Sequence, residues 1–225
     1  GLVAENLGGS HLWSSTQGGV DVNNDNIDDF IIGSQSFAKV WVIFGHNKTS
    51  KFDWSHGIDL SNLDGITTGV EILGDRTVDF GVSVALVPDM NGDGYGEIAI
   101  VVEETYPSFV ALIFGRKHFP PIINTTRQSS YGQYGIKLIT DLPNIPSLTS
   151  VDMNGDDLND LVIGCTGETI SGFPIGRVHV LFGDDIPWGT PINLETSLNG
   201  ENGFTLIDLN VSESSLFGTS LGSKI

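Results

Sequence analysis

The sequence predicts an all-β fold built from three successive copies of one four-stranded unit. Three segments recur three times in the same order, and such self-similarity at a period of tens of residues marks a repeat architecture. An acidic stretch running into an apolar one, "DVNNDNIDDFIIG" at 21–33, returns as "DMNGDGYGEIAIV" at 89–101 and "DMNGDDLNDLVIG" at 152–164. Next come "VWVIFG" at 40–45, "VALIFG" at 110–115 and "VHVLFG" at 178–183. Last come "GVEILGD" at 69–75, "GIKLITD" at 135–141 and "GFTLIDL" at 203–209.

Each segment reads as a strand. "FIIG", "EIAIV" and "DLVIG" are short runs of apolar and β-branched residues bounded by Gly and Asp. The "VWVIF" family and the closing family have strand lengths, and no window of 11 or more residues carries a convincing 3.6-residue period. A further strand is expected ahead of each acidic loop, at "HLWSS" 11–15, "FGVSVALV" 80–87 and "SLTSV" 147–151. The units then span about 11–75, 80–141 and 147–209, and "LFGTSLGSKI" at 216–225 opens another or supplies a strand to a neighbour. Four antiparallel strands per repeat is the make-up of a β-propeller blade.

The acidic loops hold the candidate chemistry. Counting from the first Asp, oxygen-bearing side chains stand at positions 1, 3, 5 and 9: Asp21, Asn23, Asp25 and Asp29; Asp89, Asn91, Asp93 and Glu97; Asp152, Asn154, Asp156 and Asp160. With the position-7 carbonyls of Ile27, Tyr95 and Leu158, such a loop can wrap a hard cation. All-oxygen ligation favours calcium over zinc or copper, and a flexible loop suits calcium better than octahedral magnesium. Position 6 is Asn26, Gly94 and Asp157, residue types that tolerate a left-handed backbone. A helical calcium hand is excluded, because it needs a Glu at position 12, where Ile32, Ile100 and Ile163 stand. Asp, Asn and Gly also make good turns without any metal, but turn preference does not demand the same acidic positions three times over.

Composition agrees. The 225 residues carry 28 acidic against 10 basic side chains, a formal charge of -18, which argues against nucleic acid or an anionic membrane as partner. Without a cation, the loop carboxylates would repel one another and raise their own pKa values. Three Ca²⁺, one per loop, would bring -18 to -12 and couple binding to folding. Glu97, longer than its counterparts by one methylene, sets the middle site apart.

The single cysteine, Cys165, allows no intrachain disulfide. Three N-x-[ST] sequons, at Asn47, Asn124 and Asn210, point to an extracellular or cell-surface location. No stretch approaches the ~20 apolar residues of a membrane span. The chain begins with Gly1 and reads as a processed product or a fragment.

Phe80-Gly81 and Phe217-Gly218 opening a strand, the D-x-N-x-D-x-x-x-[DE] loop and the V-x-[IL]-F-G strand ending resemble the FG-GAP repeat family, the blades of the integrin α-subunit head. The resemblance covers essentially the whole chain. It departs where Gly-Ala-Pro usually follows the loop strand ("GSQ", "VVE" and "GCT" stand here) and where "NIPSLTS" replaces an opening Phe-Gly. It implies a non-catalytic, calcium-stabilised extracellular propeller segment for adhesion or assembly, with a protein or glycan ligand or further copies of itself as partner. Three units and a fraction fall short of the four to eight blades that close a propeller. Either a longer polypeptide or several copies would complete it.

Other constellations are weaker. "GTSLG" around Ser220 matches a nucleophile elbow, but only three residues follow it, so no triad can be completed in that order. The five histidines show no ligand spacing, His179 reads as a strand residue, and Cys165 as a small buried one. Trp13, Trp41, Trp54 and Trp188 offer either a sugar-stacking surface or blade packing. The alternatives to an adhesion module are therefore an accessory domain of a secreted calcium-dependent enzyme and a lectin-like module.

Overall fold

The computed structural model describes residues 15–49, 52–104, 107–126, 133–141, 143–170, 173–184 and 191–207. The expected strand at 216–225, with Ser220 and Phe217-Gly218, lies outside them, as do Asn210, His11, Trp13 and Trp188.

The fold is all-β, in three sheets that follow the three repeats. The first holds β1 (Ser15–Val20), β2 (Asp29–Ser34), β3 (Lys39–Ile43) and β4 (Gly69–Leu73), each antiparallel to the next. The second holds β5 (Asp79–Val87), β6 (Glu97–Glu103), β7 (Ser108–Ile113) and β9 (Gly135–Thr140) in the same order. The third holds β10 (Asn144–Val151), β11 (Asp160–Ile170), β12 (Phe173–Leu181) and β14 (Gly203–Ile207). None of the three closes on itself.

Two short strands have no counterpart in the sequence reading. β8 (Ile122–Asn124), from the connection between β7 and β9, adds in parallel to β4 of the first sheet. β13 (Ile192–Asn193), from the connection between β12 and β14, adds in parallel to β9 of the second. Each connection thus reaches back to cover the outer edge of the preceding sheet, where unpaired backbone groups would otherwise remain. A one-turn helix, α1 (Leu194–Ser197), follows β13, its amino end capped by the Asn193 side chain accepting from Thr196 N–H.

The sheets stack face to face because each strand alternates its side chains across two buried faces. Ile31, Val40, Val42, Val70 and Ile72 of the first sheet pack against Val84, Leu86, Ile98, Ile100 and Ile113 of the second. The opposite face of the second, Ala85, Ala99, Val101, Val110, Leu112 and Leu138, packs against Leu161, Ile163, Cys165 and Leu181 of the third. Most of these side chains are fully buried, each stabilising the fold by roughly 1.5–3 kcal/mol for the larger aliphatics. This is why β5, β6 and β7 read as near-continuous apolar runs: both faces of the middle sheet are covered.

One expectation changes, and for Trp41 packing is the outcome of the two readings. The strand ahead of the first loop is Ser15–Val20; of the expected 11–15 only Ser15 falls within the described residues. "STQGGV" gives no apolar signal, and its pairing with β2 shifts register between Gly18 and Val20, a bulge that hid the strand. Trp41 is a packing residue: it is buried with Ile32 and Leu63 under the connection after β3, where Ile58 and Leu60 add to the cover.

Candidate metal centres

All three acidic loops join the first strand of a sheet to the second, and they share one backbone path. Positions 4 and 6 adopt a left-handed conformation in every copy: Asn24 and Asn26, Gly92 and Gly94, Gly155 and Asp157, with φ between 57° and 86°. Only Gly, Asn and Asp take this conformation at low cost, which accounts for the Asn/Gly/Asp alternation between the acidic positions. The two kinks turn the odd-numbered side chains inward.

The hydrogen bonds repeat with the path. The position-1 carboxylate accepts from the position-6 amide: Asp21 from Asn26 (2.6 Å), Asp89 from Gly94 (3.0 Å) and Asp152 from Asp157 (3.3 Å). Asn23, Asn91 and Asn154 accept through Oδ1 from the amides of Asp25, Asp93 and Asp156, and donate through Nδ2 to the carboxylates of those residues. Asp25, Asp93 and Asp156 in turn accept from the amides of Ile27, Tyr95 and Leu158.

Position 9 is the buried end of each loop. Asp29 is 2% exposed, Glu97 0% and Asp160 0%, whereas Asp25, Asp93 and Asp156 face solvent. Asp29 accepts from Val22 N–H (2.8 Å) and Gly45 N–H (2.9 Å); Asp160 accepts from Met153 N–H (2.7 Å) and Gly183 N–H (3.0 Å). Glu97 accepts from Met90 N–H through Oε2 (2.7 Å), while its Oε1 finds no partner of normal geometry. The extra methylene displaces the second oxygen from the place the aspartates give it.

This explains a motif that sequence reasoning recorded only as a strand ending. In the first and third loops the Gly of the "FG" pair, Gly45 or Gly183, supplies the second amide to position 9, and in all three copies this Gly has no room for a side chain. A β-carbon at Gly45 would strike the Asp28 carbonyl, one at Gly115 the Gly96 carbonyl, and one at Gly183 would lie 2.8 Å from the Asn159 carbonyl. The signal for Gly45, Gly115 and Gly183 was present, in the threefold repetition of Gly behind an apolar strand.

Electrostatics separate these carboxylates from ordinary surface ones. Burial pushes Asp29 up to about 7, against the lowering effect of its two amide donors, and the charges of Asp21 and Asp25 push the same way. Glu97 is raised to about 8, again mainly by burial, with Asp93 and Asp89 adding to it. Asp160 is raised too, by burial first and then by Asp156 and Asp152. Each loop therefore gathers negative charge around a buried carboxylate that resists ionising alone.

The donor set suits a hard divalent cation: three carboxylates and one amide oxygen per loop, with no sulfur or imidazole. In the middle loop two of these oxygens, Asp89 Oδ1 and Glu97 Oε1, are buried without a hydrogen-bond partner. Buried acceptors of this kind are costly unless something binds them. Among the described residues no three His, Cys, Asp or Glu side chains already converge as a finished site. The loop oxygens are held by loop amides, and a cation would take them over.

Away from the loops, His179, Glu195, Thr140 and Thr205 form a buried polar cluster between the second and third sheets. Thr140 Oγ1 and Asp141 N–H donate to Glu195 Oε1 (2.7 and 2.9 Å), His179 Nε2 stands 3.5 Å from the same oxygen, and His179 Nδ1 is 2.9 Å from Thr205 Oγ1. Cys165, in the same region, is fully buried, and burial pushes its thiol up to about 12, which makes it inert. The cluster ties α1 to β9 and β12. On the surface, Asn47 and Asn124 are exposed, each in a turn in which its Oδ1 accepts from the Thr two residues on. Among the described residues no helix is long and apolar enough to cross a membrane.

No family model matches the chain, and a search of curated proteins finds no significant match.

Proposed function

We propose that this chain is a non-catalytic, calcium-binding segment of a β-propeller of the FG-GAP type, working outside the cell in adhesion or assembly. The observation that carries the reading is the threefold repetition of one loop geometry. In each copy a buried position-9 carboxylate lies beneath two further carboxylates and an Asn, in the loop between the first and second strands of an antiparallel four-strand set. Stacked, sequential, four-stranded antiparallel sheets are what consecutive propeller blades consist of. Asp21, Asn23, Asp25 and Asp29, with their counterparts in the other two loops, would hold one Ca²⁺ each, supplemented by the carbonyls of Ile27, Tyr95 and Leu158. The ion would neutralise the carboxylates and lock each loop to its sheet. Its role is structural, and the recognition surface lies elsewhere on the blades.

The exposed sequons Asn47 and Asn124 support an extracellular setting. A lectin-like reading draws on one observation: Trp54 is 51% exposed and meets Phe52 edge-on at 4.8 Å, while Phe52 stacks on His46 at 3.8 Å. Such a surface stacks well on sugar rings.

The test is calorimetric titration of EDTA-stripped protein with CaCl₂. Three sites that disappear one at a time in Asp25→Ala, Asp93→Ala and Asp156→Ala variants are expected. Absence of heat together with an unchanged melting temperature would overturn the reading.

A further inference from the structure

We infer that residues 58–60 of one copy add in parallel to the outer edge of β14 in a second copy, joining the two molecules head to tail. The contact deepens the assembly part of the reading above and rests on strand pairing, not on the cation.

Two pairings inside the chain supply the pattern. Ile122, Ile123 and Asn124 of β8 lie opposite Glu71, Ile72 and Leu73 of β4. Ile192 and Asn193 of β13 lie opposite Leu138 and Ile139 of β9. The closing strands align on their opening glycines: Gly69, Gly135 and Gly203 pair with Ile43, Ile113 and Leu181 of the neighbouring strand. Ile72 then corresponds to Leu138, and both receive an isoleucine; Leu73 corresponds to Ile139, and both receive an asparagine. At the longer of the two pairings, Glu71 N–H donates to the Pro121 carbonyl (3.0 Å) and Thr125 N–H to the Leu73 carbonyl (2.9 Å).

The first connection carries the same element, and no sheet among the described residues precedes it. Ile58-Asp59 stands where Ile123-Asn124 and Ile192-Asn193 stand. Each pair ends in a similar side-chain turn. Asn124 Oδ1 accepts from Thr126 N–H (3.0 Å), Asn193 Oδ1 from Thr196 N–H (3.1 Å) and Asp59 Oδ1 from Ser61 N–H (2.9 Å). The apolar side chains take equivalent places too. Ile123 packs between the first and second sheets, Ile192 and Leu194 between the second and third, and Ile58 and Leu60 over Ile32 and Trp41 of the first. Yet among the described residues the backbone N–H groups of Ile58 and Leu60 have no hydrogen-bond partner.

The matching edge is that of β14. Phe182 N–H donates to the Asn202 carbonyl, as Phe44 does to Thr68 and Phe114 to Tyr134, which sets the alternation along each closing strand. Thr205 and Ile207 therefore turn their backbone groups away from β12, as Glu71 and Leu73 turn theirs from β3 toward β8. β14 is last in its sheet, with no strand beyond it among the described residues. Leu206 and Ile207 are each 45% exposed, whereas Ile72 and Leu138, which have received their segments, are 0% exposed. An unpaired edge of this kind is a template for another chain. The register of β4 with β8 sets Ile58 opposite Leu206 and Asp59 opposite Ile207. Ile58 N–H then donates to the Thr205 carbonyl, Ile207 N–H to the Ile58 carbonyl, and Leu60 N–H to the Ile207 carbonyl.

The partner is a second copy because the two halves of one molecule cannot meet. The first and third sheets pack on opposite faces of the second, so residues 58–60 and β14 lie at opposite ends of the stack. One segment and one edge per copy make a heterologous contact, which closes into a ring or runs on as a filament. Three sheets per copy make six in a pair, inside the four to eight that close a propeller, so a ring of two is the expected product.

The test is the mass of the calcium-loaded full chain by sedimentation, beside Ile207→Pro and Leu60→Pro. The Ile207 N–H is not used within its own sheet, so proline there leaves β12 and β14 paired while removing a donor of the contact. The parent is expected to be a dimer, and each variant to associate about tenfold or more weakly. Mixed together, each variant keeps the half that the other has lost, and a mixed dimer should return. Should a proline variant fail to fold, Ile207→Lys or Ile58→Lys replaces it, a charge on the edge serving the same end. A dimer unchanged in both variants, or variants that do not complement, would overturn the contact. A monomeric parent destabilised by Ile207→Pro would place another part of the same chain on the β14 edge and overturn it equally. A monomer that still binds three Ca²⁺ overturns the contact alone, while a complementing dimer that binds none keeps the contact and refutes the cation.

Discussion

Asp29 accepts a hydrogen bond from Gly45 N–H at 2.9 Å, across 16 residues, and so fastens the acidic loop to the end of the third strand. The same carboxylate takes Val22 N–H at 2.8 Å. Asp160 makes the equivalent pair of bonds to Gly183 and Met153. Position 9 is therefore a structural clamp as well as a candidate ligand, and the two roles come apart in mutants. Asp160→Ala leaves a buried amide unpaired and should cost about 2–4 kcal/mol in urea unfolding even in EDTA. Asp156→Ala, at an exposed position, should cost under about 1 kcal/mol in EDTA yet lower calcium affinity. Equal costs for the two in EDTA would refute the clamp.

The glycine that completes the clamp is equally testable. A β-carbon at Gly45 points at the Asp28 carbonyl, backbone that cannot swing aside. Gly45→Ala should destabilise by about 2–4 kcal/mol, against the small gain that Gly→Ala brings at an unstrained site. Gly155→Ala, where φ is +79° but no atom crowds the β-carbon, isolates the conformational cost alone at about 1 kcal/mol. Chemical denaturation of the three proteins side by side checks the order.

The clamps also set a pH dependence. Asp29 and Glu97 have folded-state pKa values raised to about 7 and about 8, above their ordinary values. The folded chain then holds more protons than the unfolded one between about pH 4 and pH 8. Their contribution is complete at the acid end of this range and is lost as pH rises through 7 and 8. In EDTA, Tm should fall from pH 5 to pH 8.5. With saturating calcium the fall should vanish or reverse, because the ion binds the ionised form and releases protons as it does so. A Tm in EDTA that climbs steadily over this range would contradict the raised values.

Much of this was legible in the sequence, and the reasons differ by element. β2, β3, β6 and β7 announced themselves because both their faces are apolar, and the loops because three copies fixed the register of the acidic positions. β1 was not legible: "STQGGV" faces its partner sheet with Ser15 and Gln17, which serve as acceptors for β5 amides. β8 and β13 were hidden for a different cause. Their two or three residues are fixed by the edge they cover, β4 or β9, and tertiary pairing leaves no local pattern. Gly33 and Gly164 looked like ordinary strand glycines until the close approach of Gly81 gave the first of them a reason.

Glu97 gives the sharpest separation of loop chemistry from loop structure. Its carboxylate is fully buried, holds Met90 N–H through Oε2 and leaves Oε1 unpartnered beside the equally unpartnered Asp89 Oδ1. Above pH 8 and without a cation, the chain must keep this group charged in a poorly solvated place beside Asp93 and Asp89. Glu97→Gln retains the shape and the acceptor for Met90 while removing the charge. In EDTA at pH 9 the variant should be more stable than the parent, because an uncompensated buried charge is gone. At pH 5, where Glu97 is already neutral, the two should melt together to within a degree or two. Calcium should then raise Tm less in the variant, with one of three sites weakened by tenfold or more. A variant less stable than the parent in EDTA at pH 9 would mean that the Glu97 charge is satisfied by the protein itself, and the middle loop would lose its claim to a cation.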